Sequence, residues 1–253
     1  HNAVTTGLHR LYISFQAAEG GRVMAEVDLN SKIRGFLDSA ARKGRSDNYA
    51  EALDELKAAE ALDRSNPVIM YNLGVCYSRT GQYKMAGEYF TRLMAQPTTF
   101  VDIVKVKKLL AYCLIMQKEY STAIHYLDEC LAIAKRDTTA MNMKGYALDR
   151  TGEYARAVEI YKEILSIDPE NYTAYNSMAY ILLRTDADTA LAMRYAKIAL
   201  NAQPDNAAYL DTMGVIYMKK GQNDMAKKFF KKALSIQPDS VEIKEHISQL
   251  LKI

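Results

Sequence analysis

MKGYALDRTGEYARAVEIY, running from Met143 to Tyr161, decides how this chain folds. Gly145 is followed seven residues later by Gly152, and Ala157 lies five residues beyond. The same order recurs in NLGVCYSRTGQYKMAGEYF (Asn72 to Phe90), with Gly74, Gly81 and Ala86, and in TMGVIYMKKGQNDMAKKFF (Thr212 to Phe230), with Gly214, Gly221 and Ala226. A recurrence of this kind governs the architecture of the whole chain. Weaker copies carry Ala52, Ala123 and Ala192 at the position of the recurring alanine, and Pro169, Pro204 and Pro238 match one another further on.

Agreement at several positions in several copies resembles the tetratricopeptide repeat, a helix-turn-helix unit, over about four fifths of the chain. The resemblance implies an all-α, right-handed superhelical solenoid with repeats over 33–66, 67–100, 104–137, 138–171, 172–206 and 207–240. In such a unit the first glycine lets the two helices approach closely, the second ends the first helix where the chain turns, and the small alanine serves the close approach from the second helix. The prolines then fall just after the second helix, where a missing N–H costs nothing. Departures fall in the first repeat, which lacks both glycines, and in the third, where Lys118 replaces the turn glycine. The fifth has a longer turn in the TDADTAL segment.

A solenoid needs its last apolar face covered, and residues 241–253 predict a capping helix with Val241, Ile243, Ile247, Leu250 and Leu251 on one face. His246 is expected at the solvated edge of that helix. Residues 1–32 read differently. Leu11, Ile13, Phe15 and Ala17 alternate with polar residues, as do Val23, Ala25, Val27 and Leu29, on either side of Gly20-Gly21. Two alternating runs around such a turn predict a short N-terminal β-hairpin, the stub of a longer chain, although Leu8, Leu11, Tyr12 and Phe15 also fit a helical stripe. The chain begins at His1, consistent with a removed leader, lipid anchor or preceding domain, and selects neither a cytoplasmic nor an exported, periplasmic location.

Hydrophobic residues make up 49% of the chain and charged residues 25%, a globular composition that excludes disordered and fibrous classes. No run reaches the roughly 18 to 20 apolar residues of a transmembrane helix. Cys76, Cys113 and Cys130 are too widely spaced for a metal knuckle and are expected as buried free thiols. The four histidines, His1, His9, His125 and His246, include no pair at ligand spacing, and no phosphate loop, nucleophile elbow or HExxH pair occurs. The chain is therefore read as non-enzymatic, with no cofactor and no metal.

The residues not needed to pack one helix of a repeat on the other form a second stripe, which in the family lines the concave groove where partner segments bind. That resemblance implies a partner site at Tyr71, Arg79, Lys105, Lys108, Tyr112, Asn142, Tyr146, Arg150, Asn176, Tyr180 and Arg184. Tyr112, Tyr146 and Tyr180 recur at intervals of 34, as do Asn142 and Asn176. Aromatic faces, amide groups and cations together suit a peptide or helix of another protein with acidic and apolar side chains. Recognition of chaperone C-termini is disfavoured, because Lys108 is followed by Tyr112 where that subtype requires Asn. The function implied is a protein-binding scaffold, of a style seen in bacterial envelope assembly factors. The alternatives are a self-associating module and a basic C-terminal repeat, Lys227 to Lys232 with Lys219 and Lys220, touching nucleic acid or anionic lipid.

Overall fold

Helix starts and stops are encoded locally. The computed structural model describes residues 22–96 and 102–252, which contain thirteen α-helices and no strand. They divide into two compact units. The N-terminal unit holds α1 (Arg22–Arg45), α2 (Tyr49–Leu62), α3 (Pro67–Arg79), α4 (Tyr83–Met94) and α5 (Ile103–Met116). The C-terminal unit holds α6 (Tyr120–Ile133), α7 (Thr138–Arg150), α8 (Tyr154–Ile167), α9 (Tyr172–Arg184), α10 (Thr189–Ala202), α11 (Ala207–Lys219), α12 (Asn223–Ile236) and α13 (Val241–Leu250).

Asn66 opens α3 by accepting from the N–H groups of Val68, at 3.0 Å, and Ile69, at 3.3 Å, ahead of Pro67 in the first turn. Asp102, Asp137, Asn171, Asp188, Asn206 and Ser240 cap other helices with their side chains. At the far end of α3, Gly81 takes φ +77° and Gln82 N–H donates to the Tyr77 carbonyl at 2.8 Å, satisfying a carbonyl the helix would leave orphaned. Gly152 and Gly221 repeat this turn. Where glycine is missing the backbone keeps the geometry at some cost: Asp47, Lys118 and Asp186 all have positive φ. Lys118→Gly relieves that strain, and after the greater chain entropy of glycine is subtracted it should stabilise the fold by about 0.5–1 kcal/mol, read as a raised midpoint in urea unfolding.

Within each unit the helices stack as hairpins into an α-solenoid, α1 on α2 and α3 on α4 in the first, α7 on α8, α9 on α10 and α11 on α12 in the second. Ala52, Ala86, Ala123, Ala157, Ala192 and Ala226 are all fully buried. Gly74, Gly145 and Gly214 let a large ring lie against the helix backbone. A Cβ on Gly74 would stand 2.6 Å from a ring carbon of Phe90, one on Gly145 2.7 Å from Tyr161, and one on Gly214 would overlap Phe230. The three cysteines are buried, and burial pushes the thiols of Cys76 and Cys113 up to about 11, which removes their nucleophilic form near neutrality.

Two expectations at the chain ends are corrected. The second predicted strand, Val23 to Leu29, lies in the first turns of α1, while the first, Leu11 to Ala17, falls outside the described residues. Val23 to Arg34 contains neither Gly nor Pro, and Asp28 pairs with Lys32 one turn on at 2.9 Å. Helix therefore propagates backward from the stripe at Ile33 and Ala40, which is buried, adding one hydrogen bond per residue. At the other end, α13 buries Ile243, His246 and Leu250, whereas Val241 and Leu251 are 67% and 75% exposed. His246 is thus a core-facing residue of the cap and not a solvated one.

Candidate partner-binding cleft

The first helices of successive repeats lie side by side in the C-terminal unit, α7 beside α9, α9 beside α11, and α11 beside α13. Helical periodicity puts residues three and four apart on one face, so Tyr146, Asp149 and Arg150 of α7 face the same space as Asn176 and Tyr180 of α9. Asp211 of α11 and Glu242 of α13 complete a cleft of about 380 Å³.

Its open wall is aromatic. Tyr146 is 43% exposed, with the Tyr120 ring edge-on at 6.4 Å and the Arg150 guanidinium 5.9 Å from the Tyr120 ring centre. On the opposite side the Tyr180 hydroxyl donates to Glu242 Oε1 at 3.2 Å and lies 3.5 Å from His246 Nε2. Burial, reinforced by Glu242, raises the Tyr180 phenol, and burial also raises Tyr146, so both rings stay neutral donors.

The floor is charged and paired. Asp149 is 6% exposed and accepts from Arg184 Nη1 at 3.1 and 3.3 Å. Burial raises its carboxyl above the usual range despite the opposing pull of Arg184 and Arg150. Both Asp211 carboxylate oxygens stand 2.9 Å from His246 Nδ1, a contact buried on both sides. Asn176 lines the cleft with its Oδ1 buried and without a hydrogen-bond partner among the described residues.

These positions bring together Tyr146, Arg150, Asn176 and Tyr180 from the sequence-derived stripe, with Arg184 just behind them. Asn142 does something else: its amide donates to the Thr138 carbonyl at 2.9 Å and to Asn171 Oδ1 at 3.2 Å, tying α7 to the residue that caps α9. The remaining five sit in the N-terminal unit. Lys105 lies 5.5 Å from the Tyr71 ring centre, Arg79 lies 5.8 Å from that of Tyr49, and Tyr112, 41% exposed, meets Tyr83 edge-on at 5.9 Å. Lys108 is half-buried on α5.

Cations expected to await an acidic partner are thus engaged within the chain. The basic stretch before the cap is partly engaged as well, with Lys219 bound to Asp186 and Lys232 to Asp205 at 2.9 Å. Sequence reasoning missed Asp211, Glu242 and His246. The spacing of Glu242 and His246, one helical turn apart, was the available signal.

Models of the tetratricopeptide repeat match residues 138–171 and 207–240, and another model of that repeat matches 69–100. No curated protein matches the chain. Among solved structures, a tetratricopeptide repeat protein from Parabacteroides merdae is 19% identical over 90% of this chain and 92% of its own, with a TM-score of 0.73. PilF of Pseudomonas aeruginosa is 17% identical over 88% and 99%, at 0.62. YrrB, described as a repeat protein with an unusual peptide-binding site, is 20% identical over 77% and 97%, at 0.58. At these identities the likenesses establish the fold.

Proposed function

We propose that this chain, which matches models of the tetratricopeptide repeat over residues 69–100, 138–171 and 207–240, is a non-enzymatic scaffold that holds a segment of another protein in the cleft of its C-terminal unit. The observation that carries this reading is Tyr146, an exposed aromatic ring beside an amide, Asn176, whose oxygen has no partner. The part of that ring left open to water adds nothing to the stability of the free chain, and a buried amide oxygen without a partner costs free energy. Both costs fall when an extended segment lays an apolar side chain on the ring and its backbone on the amide. Asp149, Asp211 and Glu242 line the cleft against one lining cation, Arg150. With Asp149 held by Arg184 and Asp211 by His246, the charge of the cleft gives no preference for the acidic segment expected from sequence.

The test is selection of a phage-displayed random peptide library on the purified chain, followed by titration of an enriched peptide. Tyr146→Ala combined with Asn176→Ala should weaken binding at least tenfold while the circular dichroism spectrum stays unchanged. Failure to enrich any peptide, or full affinity in the folded double variant, would remove the cleft as the partner site.

A further inference from the structure

The cap helix does more than cover the last repeat. It sends two residues toward the cleft from one face, Glu242 and His246, and both meet Tyr180 of α9, more than sixty positions away in the chain. The groups around the His246 ring come from four helices. Asp211 of α11 is bonded to Nδ1, Tyr180 of α9 stands near Nε2, the Phe230 ring of α12 stacks at 5.9 Å, and Glu242 and Glu245 belong to α13 itself. Every charged group in this set is an acid.

We infer that α13 is a pH-responsive latch on the cleft, closed when the His246 ring is charged and loosened when it is neutral, which frees the Tyr180 wall for a partner. The inference rests on the cleft being the partner site. The charged ring donates from both nitrogens: Nδ1–H to Asp211, and Nε2–H toward the Tyr180 oxygen, so the Tyr180 proton is left for Glu242. All four residues are then locked together. The neutral ring keeps its proton on Nδ1, and its bare Nε2 competes with Glu242 for the Tyr180 hydroxyl. Asp211, 5% exposed, loses its ionic partner at the same time.

Burial opposes the charged ring, but the Asp211 hydrogen bond and charge, with Glu242 and Glu245 behind them, outweigh it and hold the imidazole above its ordinary value of 6.5. A raised value means the contribution is complete below the unfolded-state value and is lost as pH rises through the folded one. Acid closes this latch and mild alkali loosens it.

Amide exchange read by mass spectrometry, corrected for intrinsic rates, tests this on the whole chain at pH 5.5 and pH 8. Protection of residues 243–250 should fall about tenfold at the higher pH while that of α9 holds, and His246→Gln should abolish the difference. A proton titration of His246 by NMR in the unaltered chain serves if the variant does not fold, and a midpoint at or below 6.5 overturns the latch. So does equal protection at both pH values, or an undiminished difference in His246→Gln. The peptide enriched on the cleft should bind several-fold tighter at pH 8. Equal affinity at both, with the exchange difference present, overturns the link to the cleft. A chain that shows the exchange difference but binds no selected peptide overturns the cleft reading itself.

Discussion

Gly214→Val should destabilise the C-terminal unit by about 3 kcal/mol, the upper end of what overpacking a core costs. Gly214 lies in α11 with its missing side chain directed at Phe230 of α12, whose ring is fully buried. Even a Cβ would overlap ring carbons of Phe230. The ring has nowhere to go: Met213, Ile216, Ala192 and Ala196 share its cluster, and His246 stacks on it from the cap. Relief must come from separating α11 and α12, and that would also disturb the Asp211 to His246 contact. Gly214→Ala should cost less than Gly214→Val, and urea unfolding followed by circular dichroism should rank the three chains in that order. A Gly214→Val chain as stable as the parent would mean that the helix pair is loose enough to absorb three extra carbons.

The N-terminal unit offers the converse experiment. Phe90→Ala empties a fully buried site and should cost about 3–5 kcal/mol, from lost transfer energy and from the cavity left behind. Tyr71, tilted against Phe90 at 6.5 Å, loses its support as well. Gly74 marks where the ring was, so Gly74→Val, destabilising alone, should recover about 1 kcal/mol or more when combined with Phe90→Ala. Additive effects in that double-mutant cycle would show that glycine and ring do not share one space. The Gly145 to Tyr161 pair predicts the same coupling a second time.

Much of this was legible in the residues. Turn glycines reveal themselves because a positive φ is a local demand, and Gly81, Gly152 and Gly221 all meet it. The small-residue positions are equally plain, since close helix packing needs an alanine wherever the repeat recurs, and these six are fully buried. Four of the stripe residues, Tyr146, Arg150, Asn176 and Tyr180, line one cleft because helical periodicity carries them to the same face.

Sequence by itself therefore determined the helices, their turns and the way each hairpin closes, since all of these depend on residues within about one repeat of each other. Tertiary structure alone decided the rest. Packing on α2, which buries Ile33 and Ala40, anchored the helix α1 whose first residues alternate like a strand. Arg184 belongs to Asp149, 35 positions away, and His246 to Asp211, also 35 away, because stacking brings successive first helices side by side. Which charges neutralise one another is set by that stacking, and with it how much of the cleft is left open.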